Sequence, residues 1–459
     1  MNSRDSRNWR LRRAALSIAV GLGVVAGSLR SVWAAEARPL QDSNSSPSTR
    51  PTTPKPLSEQ AKKGLAWLVK HQLPDGGWSQ GERSLDQYRE GELGDQSNVA
   101  DTCMAALALL RAGGTPANGE YANNLLAAAN FICGQVEKAP REGLLITDIK
   151  GTRVQTKLGQ YIDTFAAALL LTEVKDVMPD AASHKRVMAA LEKTMDKIQK
   201  SQKQDGRWVD AHDGWASALC QSIATKAVNR AVQAGVNVDP EVVRRARDLA
   251  ARSFDDKSGN VDGVGSANVE LYARAANLEA FQDSANTDAG RKRELDRRAG
   301  EAKAELTKAQ ATVTLASAKP EEVATAKEVI SRAESELKAV DGQLGAIHQN
   351  QQALDRAQGK IIDRLDDKQF VAGFGSNGGE EFLSYLHIGE SLALKGGDEF
   401  SRFDKGMTEN LNRIQNEDGS WSGQHCITGR TFCTAAALMV LTVDRSVQTP
   451  VTEKISAAK

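Results

Sequence analysis

Apolar residues along this chain fall into two alternating kinds of run. In PEVVRRARDLAARSFDDKSGN, starting at Pro240, they return every three or four positions among Arg and Glu, which predicts a helix with one wet face. In DTCMAALALLRAGG, from Asp101 to Gly114, Ala and Leu are nearly continuous, which predicts a helix buried all round. The two kinds alternate. NLLAAANFICGQV (Asn124 to Val136) precedes DTFAAALLLTEV (Asp163 to Val174), the stretch from Pro240 precedes SANVELYARAANLEAF, and IIDRLDDKQFVAGFGSNGG precedes EEFLSYLHIGESLALKGG. With the hairpins that carry the signature described next, the pattern predicts an all-α chain of six helical hairpins. Each has an amphipathic outer helix and an apolar inner one.

Three hairpins carry the same turn, Q-x-x-x-G-x-W with Asp immediately before the Gly. The copies are Gln72, Gly76 and Trp78; Gln202, Gly206 and Trp208; and Gln415, Gly419 and Trp421. Repetition of this kind governs the whole fold. The Gly is expected to supply a positive φ or a close backbone approach, and the Trp to pack across to a neighbouring hairpin. The Gln is expected to bond exposed helix-end groups. The signature is therefore read as structural rather than catalytic. Trp78 and Trp208 lie 130 residues apart, and Trp208 and Trp421 lie 213 apart. A charged insertion of about 80 residues accounts for the difference.

Within the insertion, apolar residues follow steps of four and three through Leu295, Ala299, Ala302, Leu306, Ala309 and Val313. The rhythm resumes at Val323, Ala326, Ile330, Ala333, Leu337, Val340, Leu344 and Ile347. That is the seam of a coiled coil. Pro320 lies between the runs and marks the hairpin tip, since proline does not continue a helix interior. The first arm would be about 40 Å long. The second is expected to continue through Ile361 and Leu365 into the fifth outer helix. A partner-binding or oligomerising arm and a solvated decoration both fit this pattern.

The complete first motif, K-G-x-x-W-L-x-x-x-Q-x-x-x-G-x-W from Lys63 to Trp78, resembles the repeat of squalene and oxidosqualene cyclases. From about Leu57 to Arg445 the chain resembles the wider terpenoid-cyclase and protein-prenyltransferase superfamily. The resemblance implies an α/α toroid, six inner helices ringed by six outer ones around a central cavity. The organisation then reads as toroid hairpins one to four over 57–284, an antiparallel coiled-coil hairpin over 285–345, and hairpins five and six over 346–445. The same toroid serves cyclases, zinc prenyltransferases, lanthionine-forming cyclases and complement thioester domains, so function has to come from the site.

The N-terminal segment bears on compartment. Arg4, Arg7, Arg10, Arg12 and Arg13 precede the apolar run AALSIAVGLGVVAGSL, and Val32-Trp33-Ala34 closes it. This reads as a signal peptide, residues 1–34, cleaved after Ala34. An uncleaved membrane anchor is the alternative, against which the shortness of the apolar run counts. A Ser-, Thr- and Pro-rich linker follows over 35–56, and a tail is expected over 446–459. The mature chain is expected to be exported, to the periplasm or outside the cell, with no membrane span. It carries 53 basic and 58 acidic residues, a net of −5. That mildly acidic balance argues against nucleic acid as a partner.

Candidate chemistry is sparse. The D-x-D-D acid motif of class II terpene cyclases and the D-D-x-x-D diphosphate motif are both missing from the sequence. Asp363, Asp366 and Asp367 have the wrong spacing and fall in the expected fifth outer helix. At 5% aromatic, the chain is also poor in the side chains that stabilise carbocations. Cys133-Gly134-Gln135 fails the thioester spacing. By resemblance to prenyltransferase zinc sites, Asp101 and Cys103 at the start of the first inner helix would join His425, Cys426 and Cys433 of the sixth hairpin. In a closed ring these hairpins are neighbours, and such donors suit zinc, the one candidate cofactor. Two other readings stand beside it. Asp101, like Asp163, can cap helix amides, and Cys433 can form a disulfide with Cys426 or Cys103. Cys133 and Cys220 read as small core residues. His387 reads as a satisfied core histidine or, with His212, as a cavity acid or base. The favoured function is a module that binds a protein or a hydrophobic small molecule through the cavity and the arm. The alternative is a zinc-dependent or acid–base enzyme acting at the toroid mouth.

Overall fold

The protein is described here from a computed structural model over residues 54–81, 96–255, 257–374 and 377–446. The expected signal peptide, nearly all of the linker and all but the first residue of the tail lie outside the described residues. The elements are α1 (Glu59–Lys70), α2 (Val99–Arg111), α3 (Ala122–Lys138), α4 (Arg153–Leu158), α5 (Ile162–Val174), α6 (Ala181–Ser201), α7 (Ser217–Gln233), α8 (Pro240–Arg252), α9 (Glu270–Thr314), α10 (Pro320–Ile362), α11 (Lys368–Val371), α12 (Gly379–Lys395), α13 (Gly397–Ile414) and α14 (Arg430–Leu441). Among the described residues there is no β-strand, so the chain is all-α.

Burial follows the two kinds of run. In α5 every residue except Glu173 is buried, whereas α8 buries only Val242, Ala246, Leu249 and Ala250. Short polar residues cap three of the amphipathic helices, α1, α6 and α8. Ser58 accepts from the Ala61 amide, and Asp180 accepts from Ala182 and Ser183. The buried helices contact one another in succession: α2 with α5, α5 with α7, α7 with α9, α9 with α12, α12 with α14, and α14 again with α2. The amphipathic helices cover these contacts. Thus α1 lies against α14 and α2, α3 against α2 and α5, α8 against α7 and α9, and α13 against α12 and α14.

The signature joins one hairpin to the next. Gln72 Nε2 donates to Gly76 O within its own turn at 2.8 Å and to Asn124 O in α3 at 2.9 Å. Gln202 repeats this with Gly206 O (3.3 Å) and Val242 O in α8 (3.0 Å). Gln415 does so with Gly419 O (2.8 Å) and Gln60 O in α1 (2.9 Å). The Gln thus reaches a carbonyl in the next amphipathic helix, not the helix-end groups expected from the sequence. Each Gly has φ near +90°, and a Cβ there would lie 2.5, 2.3 or 2.8 Å from the carbonyl oxygen of Ala127, Arg245 or Lys63 respectively. Each of these oxygens is three residues beyond the carbonyl that the Gln bonds. Only glycine lets the helices approach so closely. The indole N–H of Trp78, Trp208 and Trp421 returns to its own hairpin, donating to Leu68, Ile198 and Leu411 O at 2.8 Å in all three. The third copy spans the chain's length, since Gln415 and Gln60 are 355 positions apart. Lys55 N also donates to Asp444 at 2.7 Å.

In α9 and α10, which pack along each other, Leu295, Ala302 and Ala309 and then Ala326, Ala333 and Val340 are buried at seven-residue intervals. The alternate seam positions, such as Leu306 and Leu337, are half-buried. Pro320 is the first residue of α10, after a turn that begins at Leu315. The expected fifth outer helix needs correction. α10 ends at Ile362, so Asp363 is its C-cap, Asp366 sits in the following turn, and Asp367 caps α11 through the amides of Gln369 and Phe370.

Candidate functional site

The starts of the buried helices are tied to one another by hydrogen bonds, which gathers the loops before them at one end. Asp163, at the start of α5, accepts from Ala100 N in α2 at 2.9 Å. Ala216 N, before α7, donates to Lys157 O at 2.7 Å, and Ala218 N donates to Gly265 O, before α9, at 2.8 Å. The Tyr272 hydroxyl in α9 donates to Glu381 in α12. Gly379 N donates to Ile427 O, before α14, at 3.0 Å, and Thr431 N to Gln80 O, before α2, at 3.3 Å.

Acidic side chains serve as the fasteners. Glu381 Oε1 accepts from Tyr272 and from Phe374 N at 3.0 Å, while its Oε2 lies 3.5 Å from His425 Nε2. Glu380 Oε2 accepts from Ile427 N at 3.1 Å. Both glutamates are buried. Burial, and then the neighbouring Glu381, pushes the Glu380 carboxyl up to about 8. Burial raises Glu381 also, against the opposing hydrogen bond from Tyr272. Asp101 and Asp163 are raised to about 7 and about 6, chiefly by burial. Glu380, Glu381 and Tyr272 escaped the sequence reading. The available signal was two consecutive acids opening an otherwise apolar run.

Above the fasteners sit exposed aromatics. Trp215 is 41% exposed and Phe374 52%, and the rings meet edge to face at 5.7 Å. Phe374 also lies 5.3 Å from the His425 ring, and Lys157 Nζ lies 5.4 Å over Trp215. Val264, in the loop before α9, is 52% exposed.

The structure does not assemble the candidate zinc set, and among the described residues no group of three or more His, Cys, Asp or Glu side chains is placed to hold a metal ion. Asp101 Oδ2 accepts from Asn98 at 2.8 Å, and the Phe432 amide faces its carboxylate, so Asp101 serves the helix-end role. Cys433 Sγ donates to Ile427 O at 3.3 Å. Cys426, at φ +53°, has its thiol raised to about 12 by burial and then by Glu380. Burial raises the thiols of Cys103 and Cys433 well above the usual thiol range. All five cysteines are free and buried, which removes the disulfide reading.

Farther along the same helices lies a second polar cluster. Lys226 of α7 bridges Glu279 of α9 and Glu390 of α12, and Arg111 of α2 also pairs with Glu390. Arg111 Nη1 donates to Met439 O in α14 at 3.2 Å. Burial disfavours ionised Glu390, but Lys226, Arg111 and Arg230 outweigh it and hold the carboxyl below its usual range. His387 is buried here. Its ring nitrogens have no hydrogen-bond partner among the described residues, and burial followed by the Lys226 charge lowers it to about 3, so it is a neutral and unsatisfied histidine rather than a satisfied one. His212 is exposed in the turn before α7 and does not join it. Where Ala100, Met104, Ala166, Ile223, Leu383 and Phe432 converge, the remaining gap is about 20 Å³. That is roughly the room one or two waters need.

In comparisons with known proteins, no family model and no curated protein matches this chain.

Proposed function

We propose that this chain is an exported binding module, an α/α toroid of the terpenoid-cyclase and prenyltransferase type. It engages a protein or a hydrophobic small molecule through the loops at the starts of its inner helices and through the tip of the α9–α10 arm. The succession of contacts from α2 round to α14 and back to α2 supports the toroid. The Arg-rich, apolar N-terminal segment supports export. The observation that carries the binding role is where large apolar side chains meet water. Of the four exposed ones among the described residues, Trp215, Val264 and Phe374 share the loop face and Leu315 sits at the arm's turn. Exposed aromatics backed by well-anchored loops suit recognition. The small gap of about 20 Å³ between the inner helices favours the loop face over the centre.

Acid–base catalysis is a second reading, favoured by the raised carboxyl of Glu380. Titration with 1-anilinonaphthalene-8-sulfonate tests the first. The double variant Trp215→Ala, Phe374→Ala should weaken binding of the dye about tenfold or more with the melting temperature unchanged. Unchanged binding would sink the loop-face reading, and binding altered only by Glu380→Gln would move the function to the acids.

A further inference from the structure

The two faces of the α9–α10 seam are finished differently. On one, Leu295, Ala302, Ala309, Ala326, Ala333 and Val340 are buried. Bonds between the helices seal its edge. Arg298 Nε donates to Glu336 at 2.7 Å, Arg291 Nη2 to Gln343 at 2.6 Å, and Arg332 Nη2 to Glu305 at 3.2 Å. Arg298, Glu305, Glu336 and Gln343 each follow a buried seam residue by three positions, which puts these bonds on its side of the helix.

The other face holds most of the larger apolar side chains and hides them less. Ala299, Leu306, Val313, Ile330, Leu337 and Leu344 follow the buried positions by four, and all are half-buried. An arm packed only on itself would hide its largest apolar groups first. Charges rim this stripe, each three positions before one of its residues, and they are sorted by sign along the arm. Lys303 and Lys327 lie toward the tip, whereas Asp296 and Asp341 lie toward the body of the chain. All four are exposed. Lys303, Lys327 and Asp341 form no ion pair among the described residues, and Asp296 meets Lys292 of its own helix at 3.2 Å.

Two such stripes can meet in two ways. With the arms parallel, α9 of one copy faces α10 of the other at equal height, which sets Lys303 beside Lys327 and Asp296 beside Asp341. With the arms antiparallel, each helix faces its own copy, so Lys303 meets Asp296 of the second copy and Lys327 meets its Asp341. Both pairings are centred on one point, between Ala299 and Gly300 on α9 and at Glu334 on α10. The bond from Arg298 to Glu336 places those positions at the same height. A single two-fold axis near the middle of the arm therefore satisfies both. Glu334 faces its own copy at that axis, with Lys338 one turn along the helix to offset the repulsion. An overlap about 40 Å long and two helices wide, about 20 Å, covers about 800 Å² per copy, the size of a stable interface.

We propose that this chain pairs with a second copy of itself through the stripe, the two arms forming an antiparallel four-helix bundle. The stripe includes none of the exposed side chains assigned above to binding, so this inference stands apart from that reading.

Sedimentation equilibrium of the whole chain should give twice the chain mass, with a dissociation constant of about 1 μM or below. Lys303→Glu with Lys327→Glu, and separately Asp296→Lys with Asp341→Lys, should each weaken the dimer about tenfold or more, because like charges then meet across the axis. Mixed in equal amounts, the two variants should recover a heterodimer of wild-type strength. Lys308→Glu, on the sealed side, should leave the dimer unchanged, and circular dichroism should show every variant folded. A chain still monomeric at about 100 μM would overturn the proposal and assign the stripe to a different protein. A dimer indifferent to both charge reversals, or variants that fail to pair when mixed, would overturn it as well.

Discussion

Gly206→Ala is the substitution whose cost can be worked most directly from the structure. The added methyl first meets a backbone at φ +88°, which costs an L-residue about 1–2 kcal/mol. It then meets α8, since the new Cβ would lie 2.3 Å from Arg245 O and 2.9 Å from Arg245 C. These are backbone atoms, so no side chain can swing aside, and α8 has to retreat by about 1 Å to reach ordinary contact. The retreat stretches the 3.0 Å bond from Gln202 Nε2 to Val242 O beyond hydrogen-bonding length, with a loss of about 1 kcal/mol. Overpacking of this kind adds about 1–3 kcal/mol, so the total should be roughly 3–6 kcal/mol. Gly235→Ala is the control. Its φ is +76°, but a Cβ there meets nothing within 4 Å, so it bears the backbone penalty alone, about 1–2 kcal/mol. Urea unfolding followed by far-ultraviolet circular dichroism compares the two. If both variants unfold within about 0.5 kcal/mol of each other, the close-approach reading of the signature glycine is wrong.

Two further outcomes follow from the buried charges. Lys226→Met should destabilise the chain by about 3–5 kcal/mol, because it leaves Glu279 without its cation, and adding Glu279→Gln should recover part of the loss in a double-mutant cycle. An additive cycle would count against the pairing. Glu380→Gln should show its effect only at higher pH. The folded carboxyl holds its proton up to about 8, against 4.5 for an ordinary glutamate, so its contribution is complete below about pH 4.5 and is lost as pH rises through 8. Glutamine has no proton to lose and still accepts from Ile427 N. The variant should therefore match wild type near pH 4 and exceed it above pH 8, by at most about 5 kcal/mol at about 1.4 kcal/mol per unit. A pH-independent difference in thermal unfolding would refute this.

Helix types and turns were legible because their causes are local. Ala and Leu runs announce burial, and a Gly four residues after a helix-ending Gln announces a tight turn. The partners of those turns were not legible, since the oxygens facing Gly76, Gly206 and Gly419 belong to distant helices. The proposed zinc set failed for a related reason. The Asp101 carboxylate is engaged by the Asn98 side chain and faces the Phe432 amide at the start of α14, and a spacing pattern does not register those partners. Lys226, Glu279 and Glu390 were invisible as a cluster because each sits alone in its own apolar run. Their pairing depends on α7, α9 and α12 being neighbours with their starts at one end.

The bond from Gln415 to Gln60 has a consequence for how the chain acquires its fold in time. A ribosome delivers α1 and α2 long before α13 and α14, and an export channel that threads the chain from its N-terminus would do the same. In the interval the surfaces of α1 and α2 that α14 will cover remain wet, and they are rich in Ala and Leu. Closing contacts between positions some 350 apart also carries a loop entropy that slows the search. Newly made chain is thus sticky until its final fifty or so residues emerge, which makes it a substrate for a holding chaperone. Nascent chains stalled before α13 should be captured by such a chaperone far more than chains stalled after α14.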